Sequence, residues 1–469
     1  MKGNIRRIYS VFDGNSKQLI IPVYQRNYDW GESQCRRLFD DLVDVIRHGR
    51  DTHFFGAVVG NAEDSFTYVI IDGQQRLTTT SLLMLALVDS IDAGVLKVDR
   101  DRDLARKIRA NYLVLADQGD EVKFKLKPVK NDNDAYRRVV GGDEQLLEDS
   151  SVTANYRYFM NRIAMGELSG DELWKAIQSL EVMVLDLERD DDPQRIFESL
   201  NSTGLELSEA DKIRNIVLMG LPAKDQERLY EDFWNRIEED ADYLTTAFIR
   251  EYLISRTRKT PRKDRLYDTF RDYMAATDSS VEDILGDMRS YARAAKQLRT
   301  ATTGHPVVDR RLGRFNLMKR DVAMPFLMPV TIDVENGVLT ADELCRVVGL
   351  VDVFIYRRFV CEVPTNGLNK IFSTLYGDVR RLMRGSDDFV DALTYLITSR
   401  DSGSSRFPTD SVFREAFVTR NFYKIPSATR TYTFECLENA GSNDSRDIAT
   451  RLVNQELSVE HVMPQTLTQ

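Results

Sequence analysis

The stretch YVIIDGQQRLTT, residues 68–79, decides how the N-terminal part of this chain folds. Its apolar first half predicts a strand over 66–71, and the apolar run that follows predicts a buried helix over 77–91. Gly73 allows a tight turn between them. The free backbone N–H groups at the start of the helix are therefore expected to point toward that turn.

The flanking sequence predicts a small α/β unit around this strand and helix. Short strands are predicted over 17–24, 54–59 and 182–187, and Pro22 makes the first of them an edge or terminal piece. The spacing of apolar residues predicts an amphipathic helix over 32–48.

The rest of the chain has a different pattern. Residues 127–134 are predicted as a loop, and the region from about 221 to 399 is predicted to be helical with few strands. At roughly 100–200 residues per domain, 469 residues predict two to four domains. We expect an α+β protein divided into residues 1–220, 221–428 and 429–469.

Composition restricts the class of protein. The chain has 74 acidic and 64 basic residues, and this acidic balance disfavours a surface coated for DNA binding, although local basic stretches can still contact phosphates. Its four cysteines form no CxxC pair, which is typical of free thiols in a reducing cytoplasm. We find no signal peptide and no apolar run long enough for a membrane span, so a cytoplasmic protein is expected.

The DGQQR sequence has the chemistry of a phosphate site. A helix N-terminus attracts anions, and Arg76 supplies a fork of donors suited to phosphate. Thr78 and Thr79 add hydroxyls, and Asp72 has the oxygen ligands to hold Mg²⁺ or a water. The alternative is a capped turn in which Arg76 forms a salt bridge to an acid.

A second candidate is the segment IPVYQRNYDW, residues 21–30. The aromatic rings of Tyr24, Tyr28 and Trp30 could stack on bases, and Gln25 and Arg26 could bind phosphates or base edges. The alternative is that the aromatic residues belong to the core and Arg26 lies on the surface.

A third candidate is FESLNSTGLELSEADKIRN, residues 197–215. Asn201 and Gly204 suit the corner between two helices. Ser208 is expected to cap the second helix, with Asp211 three residues later as the other member of a capping box. The alternative is that all of these residues serve only to cap the helices.

These three motifs, with FFGAVV at 54–59 before the DGQQR stretch, resemble the N-terminal domain of the GmrSD-type modification-dependent restriction endonucleases. SspE-like phosphorothioate-sensing nucleases belong to the same group. Two later stretches are also similar to this family: residues 356–372 resemble its helical region, and VEHVMPQ at 459–465 resembles its EHxxPQ nuclease motif. The resemblance covers nearly the whole chain.

For the N-terminal domain, the resemblance implies a ParB- or sulfiredoxin-like fold that binds and hydrolyses a nucleoside triphosphate, often GTP, with Mg²⁺ or Mn²⁺. The complete DGQQR match implies catalytic roles for Asp72, Gln74, Gln75 and Arg76. Nucleotide binding is expected of a further set, and these residues are Gly73, Thr78, Thr79, Asn201, Gly204 and Asp211. A DNA-sensing set is expected beside the same pocket, and it consists of Tyr24, Gln25, Arg26, Tyr28 and Trp30.

For the C-terminal part, the resemblance implies the beginning of an HNH-type (His-Me finger) nuclease domain. His461 would act as the general base that activates water beside a divalent metal, whose protein ligands the sequence does not identify. Only eight residues, 462–469, follow it. We therefore expect an incomplete nuclease domain that is inactive in this chain, although the full-length protein would nick DNA.

The function expected from these observations is an antiphage or restriction effector. It would sense modified DNA, with phosphorothioate as one candidate modification, and couple hydrolysis of an NTP, with GTP favoured, to control of a C-terminal nuclease. The expected partners are DNA and a nucleoside triphosphate, without a membrane, and self-association or defence-system partners remain open. The alternatives are a non-catalytic, nucleotide-dependent modification reader or ParB-like clamp, and a scaffold whose partner holds the active site.

Overall fold

The computed structural model describes residues 2–460 with internal gaps at 14–16, 116–122, 144, 189–190, 192–195, 197–207, 384–387 and 441–445. The chain forms two compact units, Met1–Tyr230 and Glu231–Gln469. Within the described part of the chain, no helix is both long enough and apolar enough to cross a membrane.

The first unit is built on a mixed six-stranded sheet with the order β1-β6-β3-β4-β2-β5. Its strands are β1 Lys2–Arg7, β2 Gln18–Ile20, β3 His53–Ala62, β4 Thr67–Asp72, β5 Leu126–Lys127 and β6 Leu180–Asp186. β3 and β4 form an antiparallel hairpin, whereas β3 pairs with β6 and β2 pairs with β4 in parallel. The α+β class predicted from the sequence is confirmed by this sheet and its helices.

The described helices of the first unit include one, α2, that is buried along most of its length. They are α1 Glu32–Arg47, α2 Gln74–Asp92, α3 Leu104–Ile108, α4 Lys130–Gly141, α5 Ser151–Ala164, α6 Gly170–Ser179, α7 Glu209–Leu218 and α8 Ala223–Leu229. Residues 82–88 of α2 are completely buried, which the apolar sequence of this helix predicts. The helix predicted over 32–48 is confirmed as α1.

The start of α2 differs from the prediction. The helix begins at Gln74, three residues before the predicted position 77. Gly73 has φ +95° and ends the preceding strand abruptly, so helical geometry starts at the next residue. Gln74, Gln75 and Arg76 therefore lie in the first turn of α2 and not in the connecting turn.

Two further predictions for the first unit were wrong. β2 is an internal strand between β4 and β5 rather than an edge strand. Its last residue is Ile20, so Pro22, which has no N–H to donate, lies beyond the ladder and does not exclude an internal position. The loop predicted over 127–134 also contains the start of a helix, because α4 begins at Lys130.

The described residues of the second unit are helical, as predicted. Its helices are α9 Asn235–Asp240, α10 Thr245–Thr257, α11 Leu266–Ala276, α12 Val281–Thr300, α13 Pro306–Asn316, α14 Met324–Glu335, α15 Ala341–Val360, α16 Leu368–Leu382, α17 Phe389–Thr398, α18 Asp410–Thr419, α19 Ser427–Glu438 and α20 Ile448–Val453.

A buried arginine organises the family-like stretch 356–372 in this unit. Arg358, near the end of α15, donates to the carbonyl oxygens of Pro364, Ser404 and Arg406 at 2.7–3.0 Å. Burial lowers the pKa of its guanidinium. Arg358 therefore serves the fold by joining two loops, since its donors satisfy their backbone carbonyls.

Candidate functional site

The centre of the candidate site is the junction between β4 and α2. β4 ends at Asp72, Gly73 adopts φ +95°, and α2 begins immediately afterwards. A Cβ atom on Gly73 would lie 2.9 Å from the carbonyl oxygen of Ala57 and 3.0 Å from Cα of Val58. Only glycine combines this backbone conformation with this close approach to β3, so the junction is tightly specified.

Arg76 extends from the first turn of α2 to β3. Its Nε donates to the carbonyl oxygen of Phe55 at 2.9 Å, and its Nη1 donates to that of Ala57 at 3.3 Å. The register of β3 shifts between Phe54 and Gly56, and a Cβ on Gly56 would lie 2.6 Å from Nε of Arg76. The expected alternative, a salt bridge from Arg76 to an acid, is not found among the described residues. Backbone carbonyls hold the guanidinium instead.

Asp72 lies close to two positive charges. Burial raises the pKa of its carboxyl, whereas the charges of Arg76 and Arg26 and a hydrogen bond from the Gly73 N–H lower it, and burial has the larger effect. The charges of two arginines, Arg76 of the DGQQR motif and Arg26 of the YQR motif, therefore both act on the Asp72 carboxyl. An anion at this junction would interact favourably with both guanidinium groups.

Gln75 fixes the backbone of the YQR segment. Its Oε1 accepts hydrogen bonds from the N–H groups of Asp29 and Trp30 at 2.9 and 3.2 Å, and its Nε2 donates to the carbonyl oxygen of Asn27 at 3.0 Å. The side chain is buried. Because both ends of the amide are already used, the structure places Gln75 as a support for residues 27–30.

The predicted DNA-sensing residues divide into two groups. Tyr24, Gln25 and Tyr28 are buried, and the amide of Gln25 donates to the carbonyl oxygen of Ile71 at 2.7 Å. Arg26 and Trp30 remain partly exposed. Contact with an external ligand is therefore open to the second group, whereas the first group supports the fold.

Hydrogen bonds hold the hydroxyl of Tyr28. Its hydroxyl shares a hydrogen bond with Oγ1 of Thr79 at 2.6 Å and accepts one from Nδ2 of Asn155 at 3.0 Å. Thr79 is completely buried, and Thr78 and Gln74 are nearly so. The hydroxyl of Thr79, expected to face phosphate, is therefore already used inside the unit.

The third motif is connected to the same place through α7. Ser208 and Asp211 form the predicted capping box, and Oδ1 of Asp211 also accepts from Nη2 of Arg214 at 2.7 Å. Nε of Arg214 donates to the carbonyl oxygen of Tyr24 at 2.9 Å. Asn201 and Gly204 lie outside the described residues, as does His461.

Arg214 is a buried residue of this site that the sequence analysis did not single out. Its signal in the sequence is an arginine among the apolar positions of an amphipathic helix. Burial raises the pKa of the neighbouring Asp29 carboxyl. The positive charges of Arg26 and Arg214 lower this pKa, whereas the negative charge of Asp211 raises it. Charges from two motifs therefore surround Asp29.

The described residues contain no cluster of three or more histidine, cysteine or acidic side chains suited to a metal. Asp72 is a single carboxylate at the junction. Mg²⁺ commonly uses one or two protein carboxylates and completes its coordination with substrate phosphates and water. The residues present fit a metal that arrives with a nucleotide better than a metal bound by protein alone.

The fold and site define a class: a mixed-sheet domain with a carboxylate and two arginines at a strand–helix junction. Residues 8–218 match the family model of the GmrSD restriction endonuclease N-terminal domain. This region is therefore similar to the N-terminal domain of a restriction endonuclease, and a domain of this type indicates a restriction-type antiphage effector with DNA as the implied partner. A search of curated proteins gave no match.

Proposed function

We propose that the first unit binds and hydrolyses a nucleoside triphosphate, with GTP favoured, at the junction between β4 and α2. The observation that supports this most strongly is that Arg76 is held in the first turn of α2, beside Gly73 and Asp72, where the charges of Arg76 and Arg26 both lower the pKa of the Asp72 carboxyl. Phosphate groups are bound in this way by guanidinium donors together with free backbone N–H groups.

Each residue then has a distinct role in the proposed reaction. Arg76, held against β3, would stabilise negative charge on the transferred phosphoryl group, and Arg26 would bind a neighbouring phosphate. Gly73 lets the phosphate approach the backbone, and Asp72 would hold the accompanying Mg²⁺ or Mn²⁺ or orient a water. The metal would supply charge neutralisation on the phosphate oxygens.

We further propose that modified DNA controls this reaction and that the reaction controls the C-terminal nuclease. Arg26 and Trp30 are the partly exposed members of the predicted DNA-sensing set. An apolar aromatic side chain and a guanidinium in one segment would suit a softer, less hydrated anion such as a phosphorothioate. The aromatic ring would equally suit stacking on a base. His461 would be the general base of the nuclease.

A non-catalytic modification reader is the second candidate function. It is favoured by one specific observation, the hydrogen bonds from Arg76 to the carbonyl oxygens of Phe55 and Ala57. If these contacts persist with nucleotide bound, part of the guanidinium is unavailable to the transferred phosphoryl group. Nucleotide would then be a ligand that changes affinity for DNA.

The test is a steady-state NTPase assay with each of four NTPs, with and without duplexes that are unmodified, phosphorothioated or base-modified. Turnover that depends on Mg²⁺ and increases with one modified duplex is the expected result. Nucleotide binding without turnover under every condition would support the reader. Absence of both binding and turnover would reject the proposed nucleotide site.

A further inference from the structure

Residues 27–30 form no helix or strand, so their backbone polar groups need partners from elsewhere. Those partners are three side chains from three helices: Gln75 of α2, Asp132 of α4 and Asn155 of α5. Only Gln75 belongs to a family motif. The other two come from parts of the chain to which the sequence analysis gave no role.

The contacts of Asp132 and Asn155 are short, and they are buried or partly buried. Oδ2 of Asp132 accepts from the backbone N–H of Tyr28 at 2.7 Å. Nδ2 of Asn155 donates to the carbonyl oxygen of Trp30 at 2.6 Å and to the hydroxyl of Tyr28 at 3.0 Å. Asp132 is 8% exposed and Asn155 is 2% exposed. If either side chain were removed, the backbone group that it binds would therefore lose its partner where water has little access.

The segment that they hold adjoins one of the two residues most suited to contact a ligand and contains the other. Arg26 directly precedes it, and Trp30 is its last residue. Arg26 also pairs with Asp29 of the segment at 3.6 Å. A change in the backbone of 27–30 would therefore move both Arg26 and Trp30 relative to Asp72.

We propose that Asp132 and Asn155 are positioning residues of the nucleotide site. They act through Tyr28 and Trp30, and they fix Arg26 and Trp30 in the geometry that receives the ligand, so that binding does not have to order this segment. This inference rests on the proposed function, since it assigns to that site two supports outside its motifs.

The first test measures the accessibility of Trp30 to a fluorescence quencher in the protein without nucleotide. Trp30 is one of three tryptophans, so its contribution to acrylamide quenching is the difference between each protein and its Trp30→Phe counterpart. We expect Asp132→Ala and Asn155→Ala to increase the quenching of Trp30 at least about twofold, because they release its backbone. Asp132→Asn, which retains an acceptor oxygen, is expected to stay near the wild-type value.

The matched control is Thr153→Val. Thr153 lies on α5 with Asn155, is 1% exposed, and its Oγ1 has no hydrogen-bond partner among the described residues. An unchanged Trp30 signal is expected for this variant. If it changed the signal as much as Asn155→Ala does, general loosening of α5 would explain the result and the inference would be wrong.

The second test measures nucleotide turnover in the same proteins. We expect KM to rise about tenfold in the two alanine variants, from the loss of one buried hydrogen bond, with a smaller change in kcat and rescue by Asp132→Asn. Asn155→Ser replaces Asn155→Ala if the latter does not fold. If Trp30 quenching is unchanged in the folded alanine variants, the positioning role is wrong. If the variants alter quenching but the wild-type protein shows no turnover, only the nucleotide site is rejected.

Discussion

The guanidinium of Arg76 lies directly against Gly56, so closely that a Cβ atom on Gly56 would come within 2.6 Å of its Nε. Gly56 has φ +115° at the point where the register of β3 shifts. The irregularity exposes the carbonyl oxygens of Phe55 and Ala57 to Arg76. The orientation of the DGQQR arginine is therefore set by a glycine in a different motif.

Gly56→Ala should disturb both the fold and the site. The positive φ and the steric conflict with Arg76 together are expected to cost about 1–3 kcal/mol of unfolding free energy. NTP turnover should fall with it, because Arg76 loses its orientation. Gly49→Ala is the control, since Gly49 also has positive φ (+61°) but nothing within 4 Å of the added Cβ. A Gly49→Ala protein that loses turnover equally would show that the effect is not local to Arg76.

Arg76→Ala should abolish NTP hydrolysis in a folded protein. Loss of a transition-state arginine costs several orders of magnitude in rate in other phosphoryl-transfer enzymes, on the order of 10³–10⁵. The measurement is single-turnover hydrolysis, with folding checked by thermal melting. Arg109→Ala, which removes a half-buried arginine paired with Asp89 at 2.8 Å, should leave turnover intact. Full activity of Arg76→Ala would reject its catalytic role.

Arg26→Ala and Trp30→Ala should affect DNA binding in different ways. Loss of Arg26 should weaken binding to modified and unmodified duplexes alike. It should also reduce the slope of log affinity against log salt concentration by about the amount expected for one phosphate contact. Loss of Trp30 should weaken binding to the preferred duplex more than to the other. Fluorescence anisotropy at several salt concentrations measures both effects. No loss on any duplex would remove this segment from DNA sensing.

Asp132→Asn should stabilise the protein at neutral pH. Burial raises the pKa of the Asp132 carboxyl from 3.8 to about 6, with the charge of Asp29 acting in the same direction and the hydrogen bond from Tyr28 N–H opposing both. A raised carboxyl pKa contributes stability below about 3.8 that is lost as pH rises through about 6. The advantage of the asparagine variant should therefore grow between those values, to at most about 3 kcal/mol.

Asp64→Asn provides the control of opposite sign. Backbone N–H groups of Phe66 and Thr67 lower the pKa of the exposed Asp64 carboxyl. Its stabilising contribution is present above the ordinary carboxyl pKa and is lost at lower pH. Thermal melting over a pH series should show Asp64→Asn less stable than the wild type at neutral pH. A decrease for Asp132→Asn as well would contradict the assigned direction of its pKa.

Where metal-dependent nicking of DNA is observed, His461→Ala should remove it while NTP turnover stays unchanged. The general base activates the attacking water, and its loss typically costs about 10²–10⁴ in rate. Supercoiled plasmid nicking with Mg²⁺ or Mn²⁺ measures this effect. Nicking that survives the substitution would place the catalytic base elsewhere.

The sequence by itself predicted the local elements of this protein. Apolar periodicity located α1, apolar runs located α2, β3 and β4, and Ser208 with Asp211 identified a capping box. Each of these features depends on residues within a few positions of one another. The DGQQR match likewise identified the junction at Gly73, because its chemistry is contained in five consecutive residues.

Only the tertiary structure decided what those elements contact. β2 proved internal because β5, more than a hundred residues later in the chain, pairs with it. Asp132 and Asn155 meet Tyr28 across 104 and 127 residues, and Arg76 finds carbonyl partners at the bend in β3 rather than an acid. Helical periodicity and capping are short-range effects, whereas the partner of a buried polar group depends on which distant surfaces the packed core brings together.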